Sequence, residues 1–277
     1  MSTTYVICFS GGLSSALCAV ETVRRYGKEN CILLNHDISS KVEDASVKRF
    51  KKQVADALGM VITYANAENF EERTPLKIAL EKGAFWYQPG CQLCTSVLKT
   101  KPFHDWLRNE FPVKKGKMRD DVAIVYGFDA KETGRIERRS AVMRSMGYRT
   151  VYPLAHWERT STDIRDIGVE PPEVYEKFLH ANCIGCLKAG MRSWYACYCL
   201  RRDIFDEAVE AERILGRSIL KKCFLKELVP KFEQMKAAFI EPTDRGDFHK
   251  FWQEVDNIVP GQKSLFELLA GECSYCK

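Results

Sequence analysis

Hydrophobic and polar positions alternate with two different periods along the chain, and the pattern changes near residue 160. Before it, apolar runs at Tyr5–Phe9, Cys31–Asn35, Val61–Tyr64 and Val122–Tyr126, with a weaker one at Thr150–Tyr152, have the length and composition of strands. Between them lie stretches of helical spacing, clearest at Ser14–Tyr26 and Glu43–Leu58. Strand and helix in alternation predict an α/β fold, a parallel sheet with helices on both faces. From Ser161 onward the pattern is almost wholly helical. Pro171-Pro172 opens one segment running to Leu179, followed by Asp203–Leu215, Cys223–Phe239 and a short Phe248–Asp256. The chain ends in GECSYCK, which has no periodicity. The expectation is an α/β domain over 1–160 and a helical, cysteine-containing C-terminal region over 161–277.

Composition narrows the function classes. At 277 residues and 45% hydrophobic, the chain can bury a sizeable core. Its 42 basic and 37 acidic residues leave a net charge of +5, an excess that permits an anionic ligand without predicting a nucleic-acid binder. No run approaches the ~18 apolar residues of a membrane span. No basic segment followed by an apolar one marks a signal peptide, so a cytoplasmic protein with no membrane association is expected. In that compartment twelve cysteines point to metal or redox chemistry rather than to a disulfide framework.

The first strand runs directly into Ser10-Gly11-Gly12 and then into a helix. Such a turn presents unpaired N–H groups at the positive end of a helix dipole, an anion site, and glycine lets a phosphate approach the backbone. Ser10, Gly11, Gly12, Ser14 and Ser15 are the candidate phosphate contacts, with Ser14 and Ser15 also able to cap the helix. The second strand ends in Asn35, His36 and Asp37; Asp37 is read equally as an adenosine contact or as part of a helix N-terminus.

Three CxxC pairs, Cys91/Cys94, Cys183/Cys186 and Cys273/Cys276, have the spacing with which one turn aims two thiolates at a metal. Cys8, Cys18, Cys31 and Cys223 sit in apolar patterns and read as buried thiols, while Cys197 and Cys199 are reserve ligands. Trp194, Tyr195 and Tyr198 read as core.

Taken with its position, SGGLSS resembles the pyrophosphate-binding loop (PP-loop) of adenine nucleotide α-hydrolase-like proteins, usually SGGxDS, with Ser14 where many members carry Asp. Further segments follow in the order of the phosphoadenylyl-sulfate (PAPS) reductase family and its phage-encoded members, over roughly residues 5–200. PGCQLCTSVLKTKPF resembles the family's cysteine–lysine–proline segment through Cys94, Lys99 and Pro102. VYGFDAKETGRIERR is similar to its Gly-x-Arg-x-x-Glu segment, keeping Gly127, Glu132, Arg135 and Arg138, with Asp129 at the Arg position. YPLAHWERTSTDI and NCIGCLKAG resemble later segments, and GECSYCK is similar to the Glu-Cys tail of sulfonucleotide reductases.

The resemblance implies a Rossmann-like nucleotide-binding fold in which Gly127, Arg135, Arg138 and Asp37 join the glycine loop in holding an adenine nucleotide. It implies Cys273 as nucleophile with Cys276 resolving, and Lys99 and Glu132 as further catalytic residues. Cys91, Cys94, Cys183 and Cys186 would hold a 4Fe-4S iron–sulfur cluster, with a three-cysteine cluster or zinc as alternatives. The same tail cysteines could instead join Cys183 and Cys186 around a metal. Two reactions fit the resemblance: reduction of a sulfonucleotide with a thioredoxin-like thiol reductant, or ATP-dependent sulfur transfer, with Mg, to an acceptor such as a nucleic acid. A homo-oligomer is compatible with either. The alternative from another class is a non-catalytic nucleotide- or nucleic-acid-binding protein with a structural zinc or cluster.

Overall fold

The computed structural model describes residues 3–88, 91–114, 117–179 and 183–258. Its strands are β1 (Thr4–Cys8), β2 (Cys31–Asn35), β3 (Ile62–Tyr64), the antiparallel pair β4 (Trp86–Gln88) and β5 (Cys91–Gln92), β6 (Arg119–Val125) and β7 (Tyr148–Val151). Five of them form one all-parallel sheet in the order β3-β2-β1-β6-β7. The α/β expectation therefore stands. The chain winds outward from β1 through β2 to β3, then returns to the other side of β1 with β6, so the order reverses between β1 and β6. In open parallel sheets that reversal opens a crevice beyond the carboxyl ends of the strands.

Alternation along the strands sends side chains to two cores. Ile7 stands in register with Leu33 and Val125, and all three join Phe9 in a core covered by α1 (Leu13–Tyr26) and α2 (Ala45–Ala57). Val6, Leu34 and Ile124 pack into the opposite core with Phe103, Leu107 and Met143. Burial on both faces explains why these strands read as continuous apolar runs.

The chain divides into two compact units. The first comprises Met1–Ile38, Ala45–Phe70 and Leu98–Glu173 and holds the sheet; the second comprises Ser39–Asp44, Glu71–Val97 and Val174–Lys277. The second unit holds α3 (Pro75–Lys82), the β4–β5 pair and α4 (Leu93–Thr95). The first adds α5 (Lys101–Glu110), α6 (Thr133–Ser145) and α7 (Pro153–His156). The second closes with α8 (Met191–Leu200), α9 (Arg202–Leu215), α10 (Leu225–Ala237) and α11 (Phe248–Ile258). Its core is aromatic: Trp194, Tyr195, Tyr198, Phe205, Phe232 and Trp252 are all buried. Tyr198 meets Phe205 edge-on at 5.0 Å between ring centroids. The reading of the α8 aromatics as core holds.

The segment after Pro171-Pro172 differs from expectation. It forms only a 3-10 turn, Glu173–Glu176, that buries Tyr175. Two adjacent prolines lack N–H donors, and the stretch to Leu179 is too short for helix propagation to offset nucleation. Among the described residues no helix is long and apolar enough to cross a membrane.

Candidate nucleotide site at the glycine loop

The loop after β1 is shaped by what lies beneath it. Gly11 has φ +81°, in the left-handed region, and a Cβ there would come within 2.8 Å of Lys51 Cγ and 3.2 Å of Val47 Cγ1. Glycine is thus required twice, by its dihedral and by the lysine stem packed below. Gly12 is the N-cap of α1 and has no side-chain cap. The first N–H groups of the helix therefore have no capping oxygen from the N-cap side chain. Ser15 instead laces the turn: its hydroxyl donates to the Gly12 carbonyl at 2.8 Å and accepts from Ser10 N at 3.2 Å and Ser10 Oγ at 3.1 Å. Of the three serines, Ser10 and Ser14 are exposed and Ser15 is buried.

Lys51 is the group that pattern reading passed over. It is 1% exposed, and its Nζ donates to Asp37 Oδ1 at 2.8 Å and to Asn35 Oδ1 at 3.4 Å. Lys48 Nζ reaches the same Asp37 oxygen at 3.1 Å, and Asp37 N donates to Asn66 Oδ1 at 2.8 Å. Asn35, itself buried, donates to the Phe9 carbonyl at 2.5 Å, tying the end of β2 to the end of β1. One fully buried lysine therefore supports the glycine loop with its stem and holds Asp37 with its ammonium. The signal was present in the sequence. Val47, Phe50, Lys51 and Val54 share one helix face, which places Lys51 on the buried stripe of α2.

Beside Asp37, His36 donates from Nδ1 to the Ala65 carbonyl at 2.5 Å and meets Phe103 edge-on. Burial, with a smaller contribution from the Lys99 charge, holds its pKa below the ordinary value. The ring is therefore neutral near pH 7 with Nε2 as an acceptor, and Lys99 lies close enough to act on it.

The loop after β6 closes the other side of the crevice. A Cβ on Gly127 would stand 2.8 Å from the Ser14 carbonyl oxygen and 3.1 Å from Ser15 Cα. Gly127 is thus where the β6 loop touches the start of α1, backbone to backbone. Beyond it Glu132 folds back on its own loop, accepting from Asp129 N at 2.9 Å and pairing with Arg135. The Arg135 guanidinium also lies 4.4 Å over the Phe128 ring. Arg138 is exposed on the first turns of α6. Asp129 is met by Arg159, whose Nη2 lies 2.6 Å from Asp129 Oδ2 and holds that carboxyl below the usual carboxylate range. A guanidinium from the segment after β7 is thus held on the β6 loop.

The cysteines distribute differently. Burial pushes the Cys8 thiol up to about 12 and the Cys31 thiol to about 11, so neither is a thiolate near neutral pH. Cys18 and Cys197 are buried, and Cys197 donates to the Arg201 carbonyl at 3.6 Å. Cys94, Cys183 and Cys186 are half-buried members of the second unit, to which Cys91 also belongs. Gly185, between the late pair, has φ +71°, and a Cβ there would meet Ile204 of α9 at 2.4 Å, which fixes the CxxC turn against that helix. Among the described residues no three His, Cys, Asp or Glu side chains stand together as a metal site. The side chain of Cys91, and all of Glu272, Cys273 and Cys276, lie outside the described residues. No family model matches this chain, and no curated protein or solved structure matches it.

Proposed function

We propose that this chain is a PAPS-reductase-like enzyme that binds an adenine nucleotide at the Ser10-Gly11-Gly12 loop and performs sulfur chemistry with its cysteines. The observation that carries the reading is the meeting of that loop with Gly127 at the reversal point of the sheet, where the 14-residue α1 begins. Backbone N–H groups at a helix start suit phosphate, and the two glycines let the β6 loop and the lysine stem close up on that helix start. The exposed Ser14 hydroxyl offers a further donor at the helix start, and Lys99 brings positive charge near His36 at the end of β2.

Reduction of a sulfonucleotide is favoured over Mg-ATP cleavage by two features. Ser14 offers no carboxylate, and Asp37 is engaged by Lys48 and Lys51; a magnesium site needs carboxylate oxygen. In the reduction, the Cys273 thiolate attacks the sulfate sulfur, the S–O bond to phosphate breaks, and the nucleotide leaves as its phosphate anion. A second thiolate, from Cys276 or a thioredoxin-like dithiol, then attacks Cys273 Sγ. Sulfite departs with the electron pair of the S–S bond, a disulfide forms, and the dithiol reductant supplies the two electrons consumed. Cys91, Cys94, Cys183 and Cys186 are the residues that would hold a 4Fe-4S cluster or zinc, since four thiolates suit both. When bound, a cluster supplies a polarising or electron-storing metal centre.

Anaerobic assay with a sulfonucleotide and a thioredoxin-like reductant tests the reading. Sulfite release is expected, lost in Cys273→Ser while nucleotide binding persists. Pyrophosphate release from ATP instead would move the reading to sulfur transfer. Tight binding with neither product would replace it by the non-catalytic alternative. Iron and sulfide assay of the anaerobic protein separates a cluster from zinc.

A further inference from the structure

A second concavity of about 590 Å³ opens in the first unit at the opposite end of the sheet. It lies where β6 and β7 begin, whereas the glycine loop lies where the strands end. The 7-residue β6 puts about 20 Å between the two ends. Arg108, Lys114, Lys117 and Arg144 line it, and no carboxylate is among its lining residues. In a chain whose 42 basic residues are nearly balanced by 37 acidic ones, that is a local concentration of one sign.

The four cations are held on a fixed frame. Lys117 N donates to the Lys114 carbonyl at 3.0 Å, so both lysines leave one turn. That turn is seated on Gly147, at φ +88°, where a Cβ would come within 2.5 Å of Val113 Cγ1 and 3.0 Å of the Lys117 carbonyl oxygen. Arg119 N donates to the Gly147 carbonyl at 2.9 Å and closes the arrangement. Arg108 and Arg144 come from the last turns of α5 and α6. The Tyr148 hydroxyl, 3.1 Å from the Leu107 carbonyl and 2.7 Å from that of Phe111, fastens the end of α5 to the start of β7.

Helix dipoles explain cations at the two helix ends but not the two lysines of the turn. Lys114, Lys117 and Arg144 have no ion pair among the described residues, while Arg108 has Asp105 at 3.3 Å. All four are exposed around an apolar floor of Met146 and the buried Tyr148. A small polyphosphate site would enclose its ligand with buried donors; here all four cations are exposed. Nor does an exposed ring among the lining residues offer the stacking platform that single strands use. We infer that this groove binds the phosphate backbone of a nucleic-acid duplex, through charge and without base readout. The inference is independent of the nucleotide reading, because the two sites share no residue.

Binding of fluorescein-labelled RNA and DNA duplexes to the full chain, titrated from about 50 mM to 200 mM salt, tests it. Saturable binding is expected, with a log–log salt slope of about −3.6 for four phosphate contacts on a duplex. Lys114→Glu/Lys117→Glu lowers affinity at least tenfold and flattens the slope by about 2. Lys114→Arg/Lys117→Arg retains the affinity, which a merely structural role for a lysine side chain would not require. Preference between the RNA and DNA arms assigns the source. Unchanged binding in the glutamate variant overturns the inference, as does binding of inorganic tripolyphosphate at this groove with no binding of either duplex.

Discussion

Charge is handled in opposite ways at the two ends of the same parallel sheet. At the carboxyl end Lys51 is withdrawn from solvent and committed, its stem under Gly11 and its ammonium on Asp37. At the amino end Arg108, Lys114, Lys117 and Arg144 face solvent around an open groove, with only Arg108 ion-paired among the described residues. A buried cation costs desolvation and is retained where it fixes a geometry. An exposed one costs little and is free to exchange water for an external anion. The carboxyl end is therefore built to hold one backbone shape, and the amino end to present charge. A ligand of the first would be positioned by fixed backbone donors; a ligand of the second would be held by salt-sensitive attraction.

That contrast can be broken by single substitutions. Lys51→Met keeps the apolar stem under Gly11 and removes the charge. It should lower unfolding stability by about 1–3 kcal/mol in a denaturant titration, because Asp37 and Asn35 each lose a partner. Lys117→Met at the other end should change stability by no more than about 0.5 kcal/mol. Equal effects would remove the distinction between the two ends. Ser15→Ala unlaces the glycine turn and should cost about 1 kcal/mol in the same titration, a cost that Ser14→Ala, at an exposed side chain, should not share.

The smallest effect concerns pH. Burial holds the folded pKa of His36 below its ordinary 6.5, and His104 is shifted the same way for the same first cause. The unfolded chain then binds protons more readily than the folded one. Stability is full above the unfolded value and declines as pH falls below it toward the folded value. The difference in melting temperature between about pH 7.5 and about pH 5.5 should shrink in His36→Gln. An unchanged difference would show that His36 is not a source of that acid sensitivity.

The sheet was legible in the sequence because its central strands are buried on both faces, so that Val6-Ile7 and Leu33-Leu34 form unbroken apolar runs. β2 was read to the residue, and α1 and α9 to within one. Elements that carry few apolar residues were not legible. α6, with Met143 as its one buried residue, gives almost no helical stripe, and α3 and α5 are short. The segment opened by Pro171-Pro172 was read as helix to Leu179, yet burying Tyr175 and Phe178 needs only a turn. The glycine loop was legible because glycines that a fold cannot replace stand out. Lys51 was not, because a lysine on an apolar face is ordinarily read as solvated, and its meaning depends on Gly11 lying above it. The basic groove was hidden for a different reason: Arg108, the lysine turn and Arg144 are brought together only by the parallel pairing of β6 with β7.

The central claim, a nucleotide site at the reversal point between β1 and β6, is most directly tested by calorimetric titration of ATP and adenosine 3′,5′-bisphosphate into the wild-type chain and Gly127→Ala. One nucleotide per chain is expected for the wild type, with affinity reduced at least tenfold in Gly127→Ala, because the added methyl meets the Ser14 carbonyl oxygen at 2.8 Å. The Lys114→Glu/Lys117→Glu variant should bind as the wild type does. Nucleotide binding that survives in Gly127→Ala and disappears with the two lysines would contradict the account and move the site to the other end of the sheet.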